Sequence, residues 1–465
     1  MIYVKISILE SLIIILMRDD VRISMDEPLV SIIIPVFNGS NYLRDAIKSA
    51  LDQTYKNCEI LVINDGSNDN GATEAIAMEF IGKIKYIKKD NGGVATALNT
   101  GIKEMKGEYF SWLSHDDMYH PDKIQQELNA INISGDRKKI VFCDYEILNV
   151  NTGQKDKVEL NKIYPKEKLM NGTFSVIHGL IHGCSLLIHK SYFEEKGLFN
   201  EDLISTQDYE LWFRLLKNKT ILFLDKPLLI SRTHDEQGSK TIRTHMEEQS
   251  QLHINFIRNL DNKDIETVYE NRYMFFYKMM NFYERNNIMG AYEYAFNMFM
   301  REEIPKDVLY KIKELKEKLI NISNGNAKNL CIFCAGDYGI QLYHDLTNRL
   351  IRPDCFSDNN SQKWGYLIEG IYCLNPMELD KNNTLIIVSM KNPEVLVNEL
   401  ISKGFKYVIT KVEIDKLLES VPPIKWILES KKYEKVDYST EEMCELIDQF
   451  NQTLFEISNY YEGDK

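Results

Sequence analysis

The sequence is short of positive charge. Its 56 lysines and arginines are outnumbered by 69 aspartates and glutamates, a formal net charge of −13. No basic footprint therefore marks it for nucleic acid or for an anionic membrane surface. A phosphate-bearing substrate must be met by a local device, a metal ion or backbone amides, rather than by a global positive field. Cysteine is sparse as well. Cys58, Cys143, Cys184, Cys331, Cys334, Cys355, Cys373 and Cys444 are scattered through 465 residues, most of them inside apolar runs such as Ile140-Val141-Phe142-Cys143. This excludes a disulfide framework and reads as buried thiols in a reducing compartment. Cys331-Ile332-Phe333-Cys334 has CxxC spacing, yet no second pair of ligands stands near it and it falls within a predicted strand, so core packing is its default reading. Fixed-period repeats and low-complexity tracts are missing too.

The amino terminus lacks what a membrane span or a secretory signal requires. Ile6 to Met17 is apolar apart from Ser7, Glu10 and Ser11, shorter than the ~18–20 residues of a transmembrane helix, and no small-residue cleavage site follows it. Two readings stand: an over-extended start, with Met25 opening the functional chain, or a weak membrane-surface anchor.

What remains is ordinary globular composition, 44% hydrophobic and 27% charged, long enough for about three folding units at roughly 150 residues each. From Leu29 the pattern is strand, turn and helix repeated. Val30–Val36 is a β-branched run expected as a buried strand, with Ser40 or Asn41 capping the helix that follows to about Gln53. Glu59–Asn64, Ile84–Ile87 and Tyr109–Leu113 are the next strands, and Pro121 starts a helix. Such alternation predicts a parallel α/β sheet with ligands at the carboxyl ends of its strands. Residues 245–326 are rich in helix formers and aromatics and read as a helical connecting segment. A second α/β unit spans 327–415, a helical tail 416–465, and an amino-terminal extension 1–27 precedes the first unit at 28–244.

Acidic loop ends stand out in the first unit: Asn64-Asp65 after the second strand, Asp116-Asp117 after the fourth, and Asp208 in Gln207-Asp208-Tyr209-Glu210. Carboxylates converging at a sheet edge repel one another unless a cation holds them, and hard oxygen ligands point to Mg²⁺ or Mn²⁺. Any one pair taken alone equally suits a helix cap.

In combination these segments resemble the family-2 glycosyltransferases of the GT-A fold, over about Pro28 to Thr241. Pro28 to Asn38 looks like the family's opening strand, Val62 to Asp69 its nucleotide-base loop, and Asn91 to Ile102 its third motif. Trp112-Leu113-Ser114-His115-Asp116-Asp117 occupies the metal motif, while Gly183 to Ile188 and Gln207 to Trp212 match the acceptor half. The resemblance implies transfer of a sugar from a nucleoside diphosphate sugar to an acceptor hydroxyl on a glycan or lipid-linked glycan, with inversion, using a divalent cation (Mn²⁺ or Mg²⁺). It implies Asp208 as catalytic base and Asp116 as metal ligand, supported by Asp117 and by His234. It further implies Asp65 as acceptor from the base ring, with Pro35, Val36, Phe37 and Asn38 lining that pocket and Gly92, Gly93, Asn99 and Asp116 at the donor. The sequence departs from the pattern at Ser114, Asn64, Gln207 and Leu98, where acids or an arginine are usual. A bacterial cytoplasmic enzyme of cell-surface polysaccharide synthesis, with possible peripheral association at the inner membrane face, is the expectation. Those departures motivate a second reading, a non-catalytic nucleotide-sugar-binding or assembly protein. A sugar nucleotidyltransferase should show a glycine-rich phosphate loop after the first strand, and Phe37-Asn38-Gly39-Ser40 is not one.

Leu330 to Gly339 in the second unit resembles the GxGxxG dinucleotide fingerprint, with Cys334 in place of the first glycine, and Asp358 follows about twenty residues on, where a ribose-binding acid belongs. The unit looks like the Rossmann-like domains attached to some bacterial surface-polysaccharide glycosyltransferases. Either Gly336, Gly339 and Asp358 bind a nucleotide or nucleotide sugar, or the glycines only let helix and strand pack closely. No Tyr-x-x-x-Lys follows, which argues against a complete dehydrogenase or epimerase.

Overall fold

A computed structural model describes residues 27–235, 237 and 242–424. The expected extension over residues 1–26 and the tail beyond 424 lie outside the described residues. The chain divides into two compact units, one reaching to Glu270 and including Phe282–Tyr292, the other made of Asn271–Asn281 and the residues from Glu293 onward. The expected connecting segment is helical, as His245–Arg258, Asn262–Glu266, Arg272–Arg285, Met289–Phe299 and Lys306–Ile322, but its residues are apportioned between the two units. Its aromatics are core: Tyr273, Phe275, Phe276, Tyr283 and Phe299 are all buried. No helix among the described residues is long and apolar enough to cross a membrane.

The first unit is built on a nine-stranded sheet. Strands β1 (Val30–Val36), β2 (Cys58–Asp65), β3 (Lys85–Lys89) and β4 (Tyr109–Trp112) lie in the order β3-β2-β1-β4 and pair in parallel. β1 is buried along its whole length, as its valine- and isoleucine-rich run leads one to expect of a strand covered on both faces. The helix after it begins behind Tyr42 with no side-chain cap, so neither Ser40 nor Asn41 serves as expected.

Beyond β4 the sheet is no longer parallel. Strands β5 (Met118–Tyr119), β6 (Val141–Asn149), β7 (Lys155–Val158), β8 (Leu187–His189) and β9 (Leu222–Thr233) extend it as β4-β8-β6-β9-β5, with β7 on β6. β8 runs antiparallel to β4 and β6, β6 and β9 are parallel, and β5 is antiparallel to β9. The reason is the route of the chain. From β4 it passes directly to β5 at the opposite edge, so the strand that finally flanks β4 arrives much later and from the other direction.

Behind this sheet, Lys123 and Glu127 are fully buried and paired at 2.7 Å. Burial raises the Glu127 carboxyl to about 7 despite the adjacent ammonium.

The second unit carries a six-stranded sheet ordered β12-β13-β11-β10-β14-β15, from β10 (Asn329–Phe333), β11 (Cys355–Ser357), β12 (Leu367–Ile368), β13 (Ile371–Leu374), β14 (Thr384–Val388) and β15 (Tyr407–Thr410). All pairings are parallel except the β12–β13 hairpin. Cys331, Phe333, Ile386 and Val388 share one core with Leu396, Leu400 and Phe405. Cys331 is thus a packing residue, and among the described residues neither it nor Cys334 belongs to a cluster of metal-ligating side chains.

Removing one partner of a buried ion pair strands the other, at about 3–5 kcal/mol. Lys123→Met should therefore destabilise the first unit by that amount in urea unfolding, while Lys123→Met combined with Glu127→Leu should recover most of the loss. A double variant no more stable than the single one would refute the pairing as the source.

Candidate active site

The short β5–β9 ladder assembles the acidic centre. Met118 is paired with Ile230 and Tyr119 with Leu229, so the residues just before Met118 face those just after Ile230. The Arg232 amide donates to Asp117 Oδ1 at 3.0 Å, Arg232 Nη1 donates to the Asp116 carbonyl at 3.0 Å, and His234 Nε2 lies 3.1 Å from Asp116 Oδ2. Arg232 reaches on to Asp45 at 2.7 Å and stands over the Tyr42 ring, whose centroid is 5.3 Å from that of His234. The turn after β1 closes onto this centre, because a Cβ on Gly39 would lie 2.4 Å from His115 Cδ2.

The two aspartates have different surroundings. Asp116 keeps part of its carboxylate accessible, at 15% side-chain exposure. Asp117 is buried, and burial together with the neighbouring Asp116 charge pushes its carboxyl well above the usual range. It lies 3.9 Å from His182 Nε2, and Asp117, His182 and Cys184 bring their ligand atoms within 4.8 Å of one another. That trio is tied into hydrogen bonds. The Cys184 amide donates to His182 Nδ1 at 3.2 Å, which leaves Nε2 as the protonated nitrogen, 3.1 Å from Ser231 Oγ. Cys184 Sγ in turn meets the amide and hydroxyl of Ser114. Burial lowers the His182 imidazole to about 4 and raises the Cys184 thiol.

Neighbouring ligands of a six-coordinate ion held at about 2.1 Å lie about 3 Å apart. The 3.1 Å separation of Asp116 Oδ2 and His234 Nε2 matches this. Asp116 and His234 thus fit a divalent cation. Asp117 is turned to the Arg232 amide and His182 instead.

The nucleotide-loop residues lie along the same carboxyl edge. Asp65 ends β2 in register with Lys89 of β3, and its carboxylate accepts from Lys89 at 2.5 Å, the Gly92 amide at 3.1 Å and the Gly93 amide at 2.7 Å. Asp65 therefore clamps the Asn91-Gly92-Gly93 loop. Gly93, at φ +89, takes a conformation that favours glycine where the helix Val94–Glu104 begins. Pro35 and Val36 finish β1, Phe37 is exposed at 42%, and Asn38 bonds the amide and side chain of Asn68 and the hydroxyl of Ser67. Asn99 does not face a ligand. It is buried, its amide group donates to the Phe199 carbonyl and Glu201, and its oxygen accepts from the Phe199 amide. Its hydrogen-bonding capacity is spent on tying the helix to the Phe199 segment, a correction to its expected place at the donor.

Asp208 stands in the first turn of the helix Gln207–Leu216, half-buried, with Oδ1 accepting from the Tyr209 amide at 2.9 Å. Burial pushes its carboxyl up to about 6 against that hydrogen bond, and Glu248 adds to the rise. The helix start is fixed by Glu248, which accepts from the amides of Ile204, Ser205 and Thr206 and from both hydroxyls. Tyr209 donates to the Ile181 carbonyl at 2.7 Å, one residue from the His182 that approaches Asp117. The segment Ile181–Cys184 thus bridges the Asp208 helix and the Asp116–Asp117 turn.

Sequence reasoning missed Lys89, Arg232, His182, Cys184 and Glu248. Lys89 was legible in principle as the β3 residue opposite Asp65. Glu248 lies 42 residues from Thr206 on a helix of its own, and nothing in the local pattern marks it.

The model of the family described as Glycosyl transferase family 2 matches residues 31–195, which carry the β1–β4 edge, Asp65 and Asp116. An uncharacterised glycosyltransferase of Rickettsia typhi is 43% identical over 288 residues, 62% of this chain and 90% of that protein. One from Rickettsia bellii is 42% identical over 347 residues, 70% of this chain but 50% of that protein, so the chain spans half that relative's length. Among solved structures, S. aureus TarS 1–349 in complex with UDP-GlcNAc matches with a TM-score of 0.45 at 17% identity, covering 63% of this chain and 81% of that one. Matched across nine-tenths of the Rickettsia typhi protein, and by the family model over residues 31–195, the chain belongs to the family-2 glycosyltransferases.

Proposed function

We propose that the chain moves a hexosyl group from a nucleoside diphosphate sugar to a hydroxyl of a glycan or lipid-linked glycan, with inversion, in cell-surface polysaccharide assembly at the cytoplasmic face of the membrane. The observation that carries this reading is the bridge from Asp208, a carboxyl raised to about 6 at a helix start, through Tyr209 and Ile181–His182 to the Asp116 turn. It supports a base and a diphosphate-handling centre at one site. Asp116 and His234 would hold a divalent cation, Mn²⁺ or Mg²⁺, which would neutralise charge on the departing diphosphate. Asp208 accepts the acceptor's hydroxyl proton on Oδ2, the oxygen not bonded to the Tyr209 amide, as the new bond forms. Asp65 holds the Gly92–Gly93 loop against the donor, with one lone-pair site left for the base ring. The non-catalytic alternative has no support from Ser114, which is engaged with Cys184 rather than missing a function.

Four outcomes test this. Asp208→Asn should lower kcat about 10²–10⁴-fold with nucleotide binding retained. In the unaltered enzyme kcat/KM should fall tenfold per pH unit below about 6, where Asp208 gains its proton. Turnover with a flat acidic limb would remove Asp208 from the role. Asp116→Ala should abolish the stimulation by Mn²⁺ and weaken nucleoside diphosphate binding in titration calorimetry, and unchanged Mn²⁺ dependence would exclude it as ligand. Glu248→Ala should lower kcat at least about tenfold through misplacement of Asp208 while leaving donor KM within about twofold, and a rise in donor KM alone would contradict its positioning role.

A further inference from the structure

The carboxyl edge of the second sheet carries hydrogen-bond donors that the transfer chemistry of the first unit does not use. From β10 the chain forms the helix Asp337–Thr347 and proceeds to β11 and β13 on one side, then returns to β14 and β15 on the other. Strand order reverses between β10 and β14, where an open parallel sheet leaves a crevice at its carboxyl end. The helix start faces that crevice uncapped. No side chain caps Gly336, and among the described residues no acceptor meets the amides of Gly336, Asp337, Tyr338 and Gly339. Gly336 is exposed, and a Cβ on it would meet nothing within 4 Å. Gly339 has a different task, since a Cβ there would lie 2.2 Å from the Cys334 carbonyl.

A second, independent feature points into the same place. Ser389 is 2% exposed, and its hydroxyl has no hydrogen-bond partner. Its amide donates to the Phe333 carbonyl at 2.9 Å, extending the β10–β14 ladder by one residue past Val388. Val388 and Phe333 face the core beside Leu396 and Leu400, so alternation turns Ser389 to the opposite face. That is the face of Ile332, whose Cγ2 lies 3.5 Å from the Cβ position of Gly339 at the helix start. A buried hydroxyl with no partner costs about 1–3 kcal/mol, and an anion at the helix start would supply its acceptor.

We propose that the second unit binds the diphosphate of a nucleotide between the ends of β10 and β14, with the Gly336–Gly339 amides and the Ser389 hydroxyl as donors. Helix amides and their partial positive charge bind phosphate oxygens. Lys363, 3.0 Å from the Ala335 carbonyl, brings an ammonium to the loop. The ring of Tyr338, half exposed beside Gly336, offers a base a face. Asp358 acts as a clamp on the loop, accepting from the Ala335 amide at 2.9 Å and from Lys363 at 2.8 Å. The diphosphate is common to dinucleotides and nucleotide sugars, and the probes distinguish them.

The informative variant is Gly336→Asp. Gly336 has φ −108 and open space around it, and Asp is a favoured helix cap, so the variant should keep or raise the thermal midpoint while placing a carboxylate where phosphate binds. The intact chain is titrated calorimetrically with NAD⁺ and, separately, with UDP-GlcNAc. Binding of NAD⁺ that weakens at least about tenfold in Gly336→Asp identifies a dinucleotide site, and two UDP-GlcNAc sites reduced to one identify a nucleotide-sugar site. Ser389→Ala should weaken the same event without lowering the midpoint. The proposal is overturned if NAD⁺ does not bind and UDP-GlcNAc shows no second site, or if binding is the same in Gly336→Asp. Transfer activity retained in Gly336→Asp separates this outcome from any failure of the reading of the first unit.

Discussion

The pairing of Met118-Tyr119 with Leu229-Ile230 is the constraint on which the first unit's chemistry depends. It is a ladder of two residues, yet it joins segments more than a hundred positions apart and sets the register by which Asp116 meets His234 and Asp117 meets the Arg232 amide. A slip of one residue would turn every side chain of β5 to the other face. Several contacts guard against that slip. Tyr119 is buried with its hydroxyl on Ser111 and the Trp112 carbonyl, its amide donates to the Ser49 hydroxyl oxygen, and Arg232 spans Asp116, Asp45 and the Tyr42 ring. The catalytic geometry is thus inherited from packing behind the strand rather than from the loop itself.

The carboxyl edge of this acidic protein manages its charges unequally. Asp65 is neutralised by Lys89 and two amides. Burial pushes Asp117 toward its protonated form beside Asp116. Asp116 alone of these three keeps an accessible carboxylate turned to an imidazole. Of the three, Asp116 is the carboxylate neither engaged by a lysine nor fully buried. The serine that stands for the usual first acid of the motif is consistent with this economy, since Ser114 makes its contacts with Cys184 and adds no further charge to a desolvated corner.

Much of the fold was legible because β1 and β2 are apolar runs rich in isoleucine and valine, and each is followed by turn residues and a helix. The parallel half of the sheet follows from that pattern. The mixed half does not, because β5 and β8 are two and three residues long, too short for any periodicity to register, and their partners are distant in sequence. The candidate site divides in the same way. Asp65, Asp116 and Asp208 were visible as acids at loop ends, and the resemblance added His234. Asn99 was misplaced because an asparagine in a family motif looks the same whether it holds a ligand or a neighbouring backbone, and only the Phe199 contacts distinguish the two. Glu248 and His182 act through tertiary contacts that no local spacing encodes.

The two units arrive separately at one local solution. In the first, an acid ending the second strand accepts a lysine and the amides of a glycine loop, as Asp65 does with Lys89, Gly92 and Gly93. In the second, Asp358 follows the second strand and accepts Lys363 and the Ala335 amide of another glycine loop. The physical need is the same in both. A glycine-bearing loop at a sheet edge has backbone freedom that must be removed before its remaining amides can be aimed, and a carboxylate removes it by accepting several donors at once. Both acids therefore give most of their acceptor sites to loop geometry. The capacity to meet a nucleotide's phosphates passes to the backbone they hold in place, which is how a chain with more acidic than basic residues can still present donors to phosphate.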